Sequence, residues 1–289
     1  MAIAWPLLSP QEAAEEPTTG LADPSITIML APTVKPEILR NDLEPLRVYL
    51  GRELGGTVAW RFAETYAEAS NALLSGEVHY ASLPPTLYVK TVEANPDISL
   101  LAVKVHSGSS GSDGILLVTE DGPIASPADI KGTRLCYTDP QSTTGYVLPR
   151  AALREMGIDP DKDMKRPAVV SGNHMALIED LIDGKCDIGG TFTAAYMTAD
   201  EAGINAAKAR VLQVTGRTPH DAICAGSMAP PGQKEAMKRA LLEFDPQREA
   251  GQAIMGTVER LTGFDTVEDS VYSTVRDALD AERSSALVE

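Results

Sequence analysis

The most informative stretch of the chain reads Tyr137-Thr-Asp-Pro-Gln-Ser-Thr-Thr-Gly-Tyr146. A buried strand pattern ends there, and periodic apolar residues beyond it predict a helix. The first turn of a helix has backbone N–H groups without intrahelical partners, and Ser142, Thr143 and Thr144 add hydroxyl donors. The junction therefore predicts either a site for a tetrahedral oxyanion or ordinary capping by Ser142. Pro149 predicts a kink or a loosely wound first turn.

The same alternation of strand and helix patterns extends in both directions along the chain. The predicted strands are 26–31, 57–62, 78–83, 98–105, 115–118, 134–137, 168–170, 186–189 and 211–215. The predicted helices are 36–54, 66–74, 86–92, 126–130, 144–156, 175–182, 232–244, 249–262 and 269–282. Two successive α/β units joined by polar turns predict two lobes with a ligand cleft between them.

Length and composition limit the possible partners. The chain has 289 residues, of which 43% are hydrophobic, which suits two domains of roughly 150 residues each. The net charge of −16 and the aromatic content of 5% argue against a nucleic-acid partner and an anionic membrane surface. A small anion would therefore be captured by local groups, without long-range attraction.

The three cysteines, Cys136, Cys186 and Cys224, lie far apart in apolar, strand-like contexts. Their spacing matches no zinc motif, so neither a metal nor a cofactor is expected. We expect buried thiols, with a disulfide between two of them as the alternative if the compartment is oxidising.

Residues 1–24 are predicted to be a disordered lead-in or the remnant of an export signal. Met1–Leu8 is too short for the apolar core of a signal peptide, and it lacks a basic start. The segment that follows is polar and acidic, which is typical of solvated chain. A cytoplasmic protein and a clipped or mis-started export signal both remain open on this evidence from the sequence.

Two further junctions carry candidate binding residues. His174 ends the string Ser171-Gly-Asn-His174, where its ring can contact an anion or serve as a structural residue. Asp221 lies in Pro219-His-Asp-Ala-Ile223, where it can accept a proton from a partly protonated phosphoryl group or simply cap a turn. The sequence has no G-x-S-x-G motif and no Walker loop, so we do not expect an enzyme.

Over about residues 26–250 these segments resemble the substrate-binding proteins of phosphonate-, phosphite- and phosphate-type ABC uptake transporters. The order D-P-x-S-T-[ST]-G, then G-x-H, then P-x-D-x-I is a specific combination. The strings that carry the resemblance are Ala31-Pro32, Leu43-Glu-Pro-Leu-Arg-Val-Tyr-Leu50, Gly55, Tyr66, Leu74-Ser-Gly-Glu-Val78, Leu83-Pro-Pro-Thr-Leu-Tyr88, Asp139-Pro-Gln-Ser-Thr-Thr-Gly-Tyr146, Ser171-Gly-Asn-His174, Gly184-Lys-Cys-Asp187 and Pro219-His-Asp-Ala-Ile223.

The resemblance implies a type II periplasmic-binding-protein fold, whose two lobes close on a ligand about a hinge. It places the first lobe at 25–117 plus 224–289 and the second at 118–223, with crossings near Ile115–Glu120 and Asp221–Ala225. It also implies a monomer that is periplasmic or otherwise extracytoplasmic, that binds a small phosphorus oxyanion and that delivers it to an ABC permease.

By resemblance, Ser142, Thr143, Thr144 and His174 hold the phosphoryl oxygens. Asp221 takes the ligand's O–H, Tyr66 contributes from the other lobe, the loop Leu83–Pro85 forms a wall, and Thr33 is a weaker candidate. Aminophosphonate binders of this group place a carboxylate for the ligand's amine where this chain has Thr191-Phe-Thr-Ala-Ala195. A smaller oxyanion, or one with an uncharged substituent, is therefore favoured.

Two other functions compete with the transport hypothesis. The chain can be a sensor subunit that presents an oxyanion to a histidine kinase, an alternative suggested by Cys224 close after Asp221. It can also be an enzyme on the same fold, although no nucleophile–base pair is visible in the sequence.

Overall fold

The structure is a computed structural model that describes residues 26–33, 35–256 and 259–286. The predicted lead-in at 1–24 lies outside the described residues. In chain order the strands are β1 (Ile26–Leu30), β2 (Val58–Phe62), β3 (Tyr80–Leu83), β4 (Ser99–His106), β5 (Gly111–Thr119), β6 (Arg134–Tyr137), β7 (Lys165–Val170), β8 (Ile188–Phe192), β9 (Ala209–Pro219), β10 (Ala222–Ala225) and β11 (Leu261–Asp265).

The α-helices pack around these strands. In chain order they are α1 (Pro36–Asp42), α2 (Glu44–Glu53), α3 (Tyr66–Leu74), α4 (Pro85–Ala94), α5 (Leu148–Glu155), α6 (His174–Ile182), α7 (Thr193–Met197), α8 (Pro231–Glu243), α9 (Pro246–Ala250) and α10 (Ser273–Ala286). The helix predicted at 36–54 is two helices. Pro45 has no backbone N–H, so it is accommodated in the first turn of a helix, and α2 begins there as a separate helix.

The strands form two mixed sheets. The first has the order β11-β4-β10-β3-β1-β2 and the second has the order β7-β6-β8-β5-β9. In the first sheet, Ile28 of β1 lies in parallel register with Trp60 of β2 and Tyr80 of β3. The first lobe is this sheet with α1–α4 and α8–α10, and the second lobe is the other sheet with α5–α7. The predicted two-lobed α/β architecture is confirmed.

Two short segments connect the lobes, and together they form the hinge. Residues 107–110 lead from β4 to β5, and His220 and Asp221 lead from β9 to β10. The His220 N–H donates to the Ser110 carbonyl at 2.9 Å, and the Lys104 N–H donates to the Asp221 carbonyl at 3.1 Å. The two crossings are thus hydrogen-bonded to each other or to the adjoining strand.

Strand pairing corrects both expected lobe boundaries. The sequence predicts residues 111–117 in the first lobe, but Leu116 pairs with Gly190 in the second sheet. It predicts Ala222 in the second lobe, but Ala222 pairs with Leu83 in the first sheet. The first boundary is wrong because β5 begins inside the polar loop, whose composition gave no sign of a strand. The second is wrong because β10 begins directly after Asp221.

The helix predicted at 249–262 is wrong. Helix α9 ends at Ala250, and Gly251 follows in the left-handed conformation, with a φ of 71°, that commonly ends a helix. From Leu261 the chain forms β11, which runs antiparallel to β4. The apolar residues at the end of this segment therefore belong to a strand at the edge of the first sheet. A short apolar pattern does not distinguish such a strand from a helix.

The expectation of buried thiols holds only for Cys224, which is unpaired and buried in β10. Cys136 and Cys186 form a disulfide, with their Cα atoms 5.7 Å apart. The bond is possible because β6 and β8 are neighbouring parallel strands, with Cys136 opposite Gly189. The disulfide that the sequence left as an alternative is therefore present.

Helix α10 packs on both lobes. Val275 and Leu279 lie in one apolar cluster with residues of α4 and α5. On the α5 side, Glu282 accepts from Arg150 Nε at 2.9 Å and also pairs with Arg154. No helix within the described ranges is long and apolar enough to cross a membrane.

Candidate functional site

A cavity of about 80 Å³ lies between the two lobes. It is far smaller than the roughly 300–1,000 Å³ of sites for drug-sized ligands, so it suits a small ion. Its walls come from both sheets and from the hinge. The lining residues are Thr33, Tyr66, Pro84, Pro85, Lys104, His106, Ser112, Ser142, Thr143, Thr144, His174, Phe192, Ala194, Thr218, Pro219, His220, Asp221 and Glu259.

The junction at 142–144 forms one wall, as a single π-helical turn, Thr143–Val147, that precedes α5. This turn confirms the loosely wound start that Pro149 predicts. Ser142 accepts a hydrogen bond from the Gly145 N–H at 3.1 Å, so it caps the turn and lines the cavity at once. The two predicted interpretations of Ser142 do not exclude each other, because its hydroxyl proton is still available to donate.

Gly145 makes this turn possible. A Cβ atom at this position would lie 1.9 Å from Thr138 Oγ1 and 2.8 Å from Ser142 Oγ. Any larger residue would therefore push against the turn that presents the three hydroxyls. Thr143 is held from the other lobe as well, since its Oγ1 accepts a hydrogen bond from the Thr86 N–H at 2.8 Å.

His174 is the first residue of α6, and Asn173 caps that helix by accepting from the Ala176 N–H at 3.0 Å. The ring is 4% exposed, and its Nδ1 lies 3.0 Å from Thr191 Oγ1. Burial lowers the pKa of His174 to about 3, so the ring is neutral at ordinary pH. Because Nδ1 is engaged, Nε2 is the nitrogen available to a ligand.

The first lobe contributes Tyr66, at the start of α3, together with Thr33, Pro84 and Pro85. The Tyr66 hydroxyl is buried beside Ser142. Burial, followed by the charge of Asp221, raises the pKa of Tyr66, which keeps the phenol protonated as a donor.

Leu83 is not among the described residues that line the cavity. It is fully buried in β3, within the apolar cluster under the first sheet. The loop that the sequence predicts as a wall is therefore represented by Pro84 and Pro85.

Asp221 lies in the hinge itself. Its Oδ2 accepts from Ser82 Oγ at 3.1 Å and lies 3.5 Å from Lys104 Nζ. Its Oδ1 takes part in no hydrogen bond with a described residue. The side chain is 18% exposed, so the carboxylate reaches the cavity while two neighbours hold it.

Two charged residues of the cavity were not found from the sequence. Lys104 Nζ donates to Glu259 Oε2 at 2.9 Å, and both side chains are buried. Burial opposes the charge of Lys104, but Glu259 and Asp221 outweigh it and raise the pKa of Lys104. Burial likewise opposes the charge of Glu259, but Lys104 prevails and lowers the pKa of Glu259. The position of Lys104 within the apolar strand Leu101-Ala-Val-Lys-Val105 could have indicated that its charge has an acidic partner inside the protein.

Two histidines, His106 at the end of β4 and His220 in the second crossing, also line the cavity and were not predicted. The rings of His106 and His220 lie 4.4 Å apart, and His106 Nδ1 contacts the Glu259 carbonyl. Burial lowers the pKa of His220 to about 2, helped by His106 and Lys104, so this ring is neutral. Thr218 was missed as well, and its buried hydroxyl has no partner among the described residues.

The charges of the cavity constrain its ligand. Lys104 carries one positive charge against the carboxylates of Asp221 and Glu259, and the other described polar groups are neutral hydroxyls and imidazoles. An anion would therefore be held mainly by neutral donors. A ligand that also carries an acidic proton can give it to Asp221 as a hydrogen bond, which removes a repulsion between like charges.

Comparisons with known proteins support this account of the fold. Over 177 residues the chain is 27% identical to the phosphate-import protein PhnD of Mycolicibacterium smegmatis, a match that covers 58% of this chain and 55% of that protein. The chain thus spans about half the length of this curated relative.

Two solved structures have the same fold. The PhnD1 protein of Prochlorococcus marinus, in complex with methylphosphonate, has a TM-score of 0.79 at 16% identity, over 89% of this chain and 98% of that one. A binding-protein component of an ABC phosphonate transporter from Pseudomonas aeruginosa has a TM-score of 0.78 at 19% identity, over 88% of this chain and 84% of that one. The predicted type II periplasmic-binding-protein fold is confirmed.

The family profile of phosphonate periplasmic substrate-binding proteins of ABC transporters matches residues 28–272. The match includes both sheets, both hinge crossings and every residue that lines the cavity. The chain therefore belongs to the family of periplasmic phosphonate substrate-binding proteins of ABC transporters.

Proposed function

We propose that the protein captures a phosphonate, phosphite or related phosphorus oxyanion in the cavity between its lobes and delivers it to an ABC permease. The observation that carries this proposal is the pairing of neutral donors on one side of a small cavity with the Asp221 carboxylate on another. Such a site suits an oxyanion that has both bare oxygens and an acidic proton.

The donors divide between the lobes. In the proposed complex the hydroxyls of Ser142, Thr143 and Thr144 and the ring of His174 hold the phosphoryl oxygens from the second lobe. Tyr66 donates from the first lobe, where Thr33 and Pro85 complete the wall. Because the ligand would contact both lobes, its binding stabilises the closed arrangement over an open one.

In the proposed complex Asp221 distinguishes ligands that carry an acidic proton from ligands that do not. A partly protonated phosphorus oxyanion donates its O–H to the carboxylate, while sulfate, which carries no proton at neutral pH, leaves two anionic oxygens facing each other. An unmade or repulsive contact of this kind costs about 1–3 kcal/mol, or roughly tenfold to a hundredfold in affinity. The protein should therefore reject sulfate.

The named relatives are consistent with this ligand class. One structural neighbour holds methylphosphonate, and the curated relative is named for phosphate import. Both ligands are tetrahedral phosphorus oxyanions, and both fit the chemistry of hydroxyl donors and one carboxylate acceptor.

The sensor alternative loses the observation that suggested it. Cys224 is fully buried in β10, and its Sγ faces the Ala222 carbonyl. Burial, followed by the charge of Asp221, raises the pKa of the Cys224 thiol, so the thiol is a poor ligand for an oxyanion in the cavity.

We also propose that the protein works outside the cytoplasm. The Cys136–Cys186 disulfide supports this location, because disulfides persist in oxidising compartments and are rare in the cytosol. The periplasmic character of the family points the same way.

Isothermal titration of the purified protein tests the ligand class. The ligands are phosphite, methylphosphonate, phosphate, arsenate and sulfate, and the variants are Asp221→Asn and, as an exposed control, Asp121→Asn. We expect at least one phosphorus oxyanion to bind, sulfate to fail, and only Asp221→Asn to lose on the order of tenfold or more in affinity. Equal binding of sulfate, or an unchanged Asp221→Asn variant, would refute the proposed role of Asp221.

A further inference from the structure

Lys104 and Glu259 form a second polar wall of the cavity, separate from the hydroxyls of the 142–144 turn. Lys104 comes from β4, and Glu259 comes from the segment before β11. Their side chains are 5% and 8% exposed, and the Nζ–Oε2 distance is 2.9 Å. Both line the same cavity as Asp221. An ion pair buried this deeply is costly unless its remaining hydrogen-bonding groups are also satisfied.

The pair has unused hydrogen-bonding capacity. Lys104 has three N–H donors, of which one meets Glu259 and a second makes a long contact of 3.5 Å to Asp221. Glu259 uses Oε2, and its Oε1 makes no hydrogen bond to any residue that the structure describes. The wall therefore offers a ligand one cationic donor and one anionic acceptor, next to each other.

A hydroxyl group is the complement of this wall. It can accept a hydrogen bond from Lys104 and donate its own proton to Glu259 at the same time. A methyl group or a hydrogen on phosphorus can do neither. An ammonium group can only donate, and it would lie beside the positive charge of Lys104.

The space around Glu259 permits a substituent. A second cavity of about 540 Å³ adjoins the small one and shares His106, Ser112, Ala194, His220 and Glu259 with it. Glu259 thus lies where the cleft widens, and a ligand seated on the hydroxyls of the second lobe can direct a substituent past it.

We propose that the ligand is a phosphoryl compound with a hydroxyl group as its substituent, held between Lys104 and Glu259. This inference rests on the proposed function. The hydroxyl can belong to phosphorus itself, as in dihydrogen phosphate, whose second O–H meets Asp221, or to the first carbon, as in hydroxymethylphosphonate. Lys104 and Glu259 are then specificity-determining residues, because they distinguish these ligands from phosphite and methylphosphonate.

The test is isothermal titration of the full chain with phosphate, hydroxymethylphosphonate, methylphosphonate, aminomethylphosphonate and phosphite. We expect a hydroxyl-bearing ligand to bind on the order of tenfold or more tightly than methylphosphonate, and the aminomethyl compound to bind more weakly than the hydroxymethyl compound. Tight binding of phosphate alone places the hydroxyl on phosphorus, and tight binding of hydroxymethylphosphonate alone places it on carbon.

A paired variant, Lys104→Met with Glu259→Leu, replaces the ion pair by apolar side chains of similar size, a change that folded proteins often tolerate. We expect the ratio of the affinities for hydroxymethylphosphonate and methylphosphonate to fall to about one in this variant, whatever the change in absolute affinity. An unchanged preference would overturn the inference. If the variant does not fold, the wild-type series still decides, because methylphosphonate binding as tight as that of either hydroxyl ligand overturns it. Failure of every phosphorus compound to bind would instead refute the proposed function.

Discussion

The backbone N–H of Thr86 donates a hydrogen bond of 2.8 Å to the side-chain oxygen of Thr143, across the cleft from the first lobe to the second. Both residues are buried. Thr143 also lines the cavity, so one hydroxyl group serves the contact between the lobes and the proposed contact with the ligand. We therefore expect closure of the lobes and occupation of the cavity to be coupled through this side chain.

Replacing Thr143 tests this coupling. The Thr143→Val variant keeps the shape of the side chain but leaves the buried Thr86 N–H without its acceptor, at a cost of about 1–3 kcal/mol. We expect the affinity for the tightest phosphorus oxyanion to fall roughly tenfold to a hundredfold in isothermal titration. Thr143→Ser retains the oxygen and should stay within a few-fold of wild type. Valine and serine variants of equal affinity would contradict the coupling.

Gly145 is predicted to tolerate no side chain. In Gly145→Ala the new Cβ would collide with Thr138 Oγ1, so the free energy of unfolding should fall by about 1–3 kcal/mol. Adding Thr138→Ala removes that atom and should restore part of the loss in urea denaturation. Gly232→Ala is the control, since nothing lies within 4 Å of a Cβ there. A neutral Gly145→Ala would show that the turn is not tightly packed.

Acidification should destabilise the ligand-free protein. Burial lowers the pKa of His174 to about 3 from an ordinary value of 6.5. Below pH 6.5 the unfolded chain takes up a proton that the folded chain refuses, so the free energy of unfolding decreases as the pH falls from 6.5 to about 3. The limiting slope is about 1.4 kcal/mol per pH unit for each such histidine.

Urea denaturation of wild type and His174→Gln at a series of pH values between 7 and 4 measures this effect. The variant should show a flatter pH dependence than wild type over that range. His220→Gln should flatten it as well, because burial lowers the pKa of His220 to about 2. Parallel curves for all three proteins would exclude these rings as the source of acid sensitivity.

Reduction of the disulfide should also destabilise the protein. Cys136 and Cys186 are 50 residues apart, and on chain-entropy grounds a loop of that length contributes about 4 kcal/mol, of which real proteins often realise less. We expect denaturation midpoints to fall with reductant in wild type and in Cys224→Ala, but not in Cys136→Ala with Cys186→Ala. A thiol assay on the denatured, unreduced chain should find Cys224 as the one free thiol. A count of three thiols would contradict the disulfide.

The sequence predicts correctly those elements whose bounds are set by neighbouring residues in the chain. The strand over Arg134–Tyr137 and the helix over Tyr66–Leu74 have the predicted bounds, because each is set by a continuous apolar pattern with polar or glycine residues at its ends. Ser142, His174 and Asp221 each follow the end of a strand, and strand ends converge at one edge of a lobe. Their common presence at the cavity was therefore predictable, while their roles in binding remain predictions.

The parts that the sequence does not predict depend on distant pairing. Glu259 reaches Lys104 only because β11 joins the edge of the first sheet beside β4, and the pattern of that segment resembles a helix. The resemblance places Leu83 at the cleft with Pro84 and Pro85, but in β3 this side chain lies in the apolar core. The disulfide likewise depends on the neighbouring positions of β6 and β8, which no local pattern reveals.

The position of Asp221 in the hinge limits how this binding protein can be redesigned. The side chain proposed to recognise the ligand's proton also ties its crossing segment to the first sheet, since its Oδ2 accepts from Ser82 Oγ of β3 and lies 3.5 Å from Lys104 Nζ of β4. A substitution there changes ligand preference and the mechanics of closure together, so an engineered sensor built on this scaffold would lose its signal along with its old selectivity. New selectivity is better introduced at Thr33 or Thr218, which line the cavity from outside the two crossings.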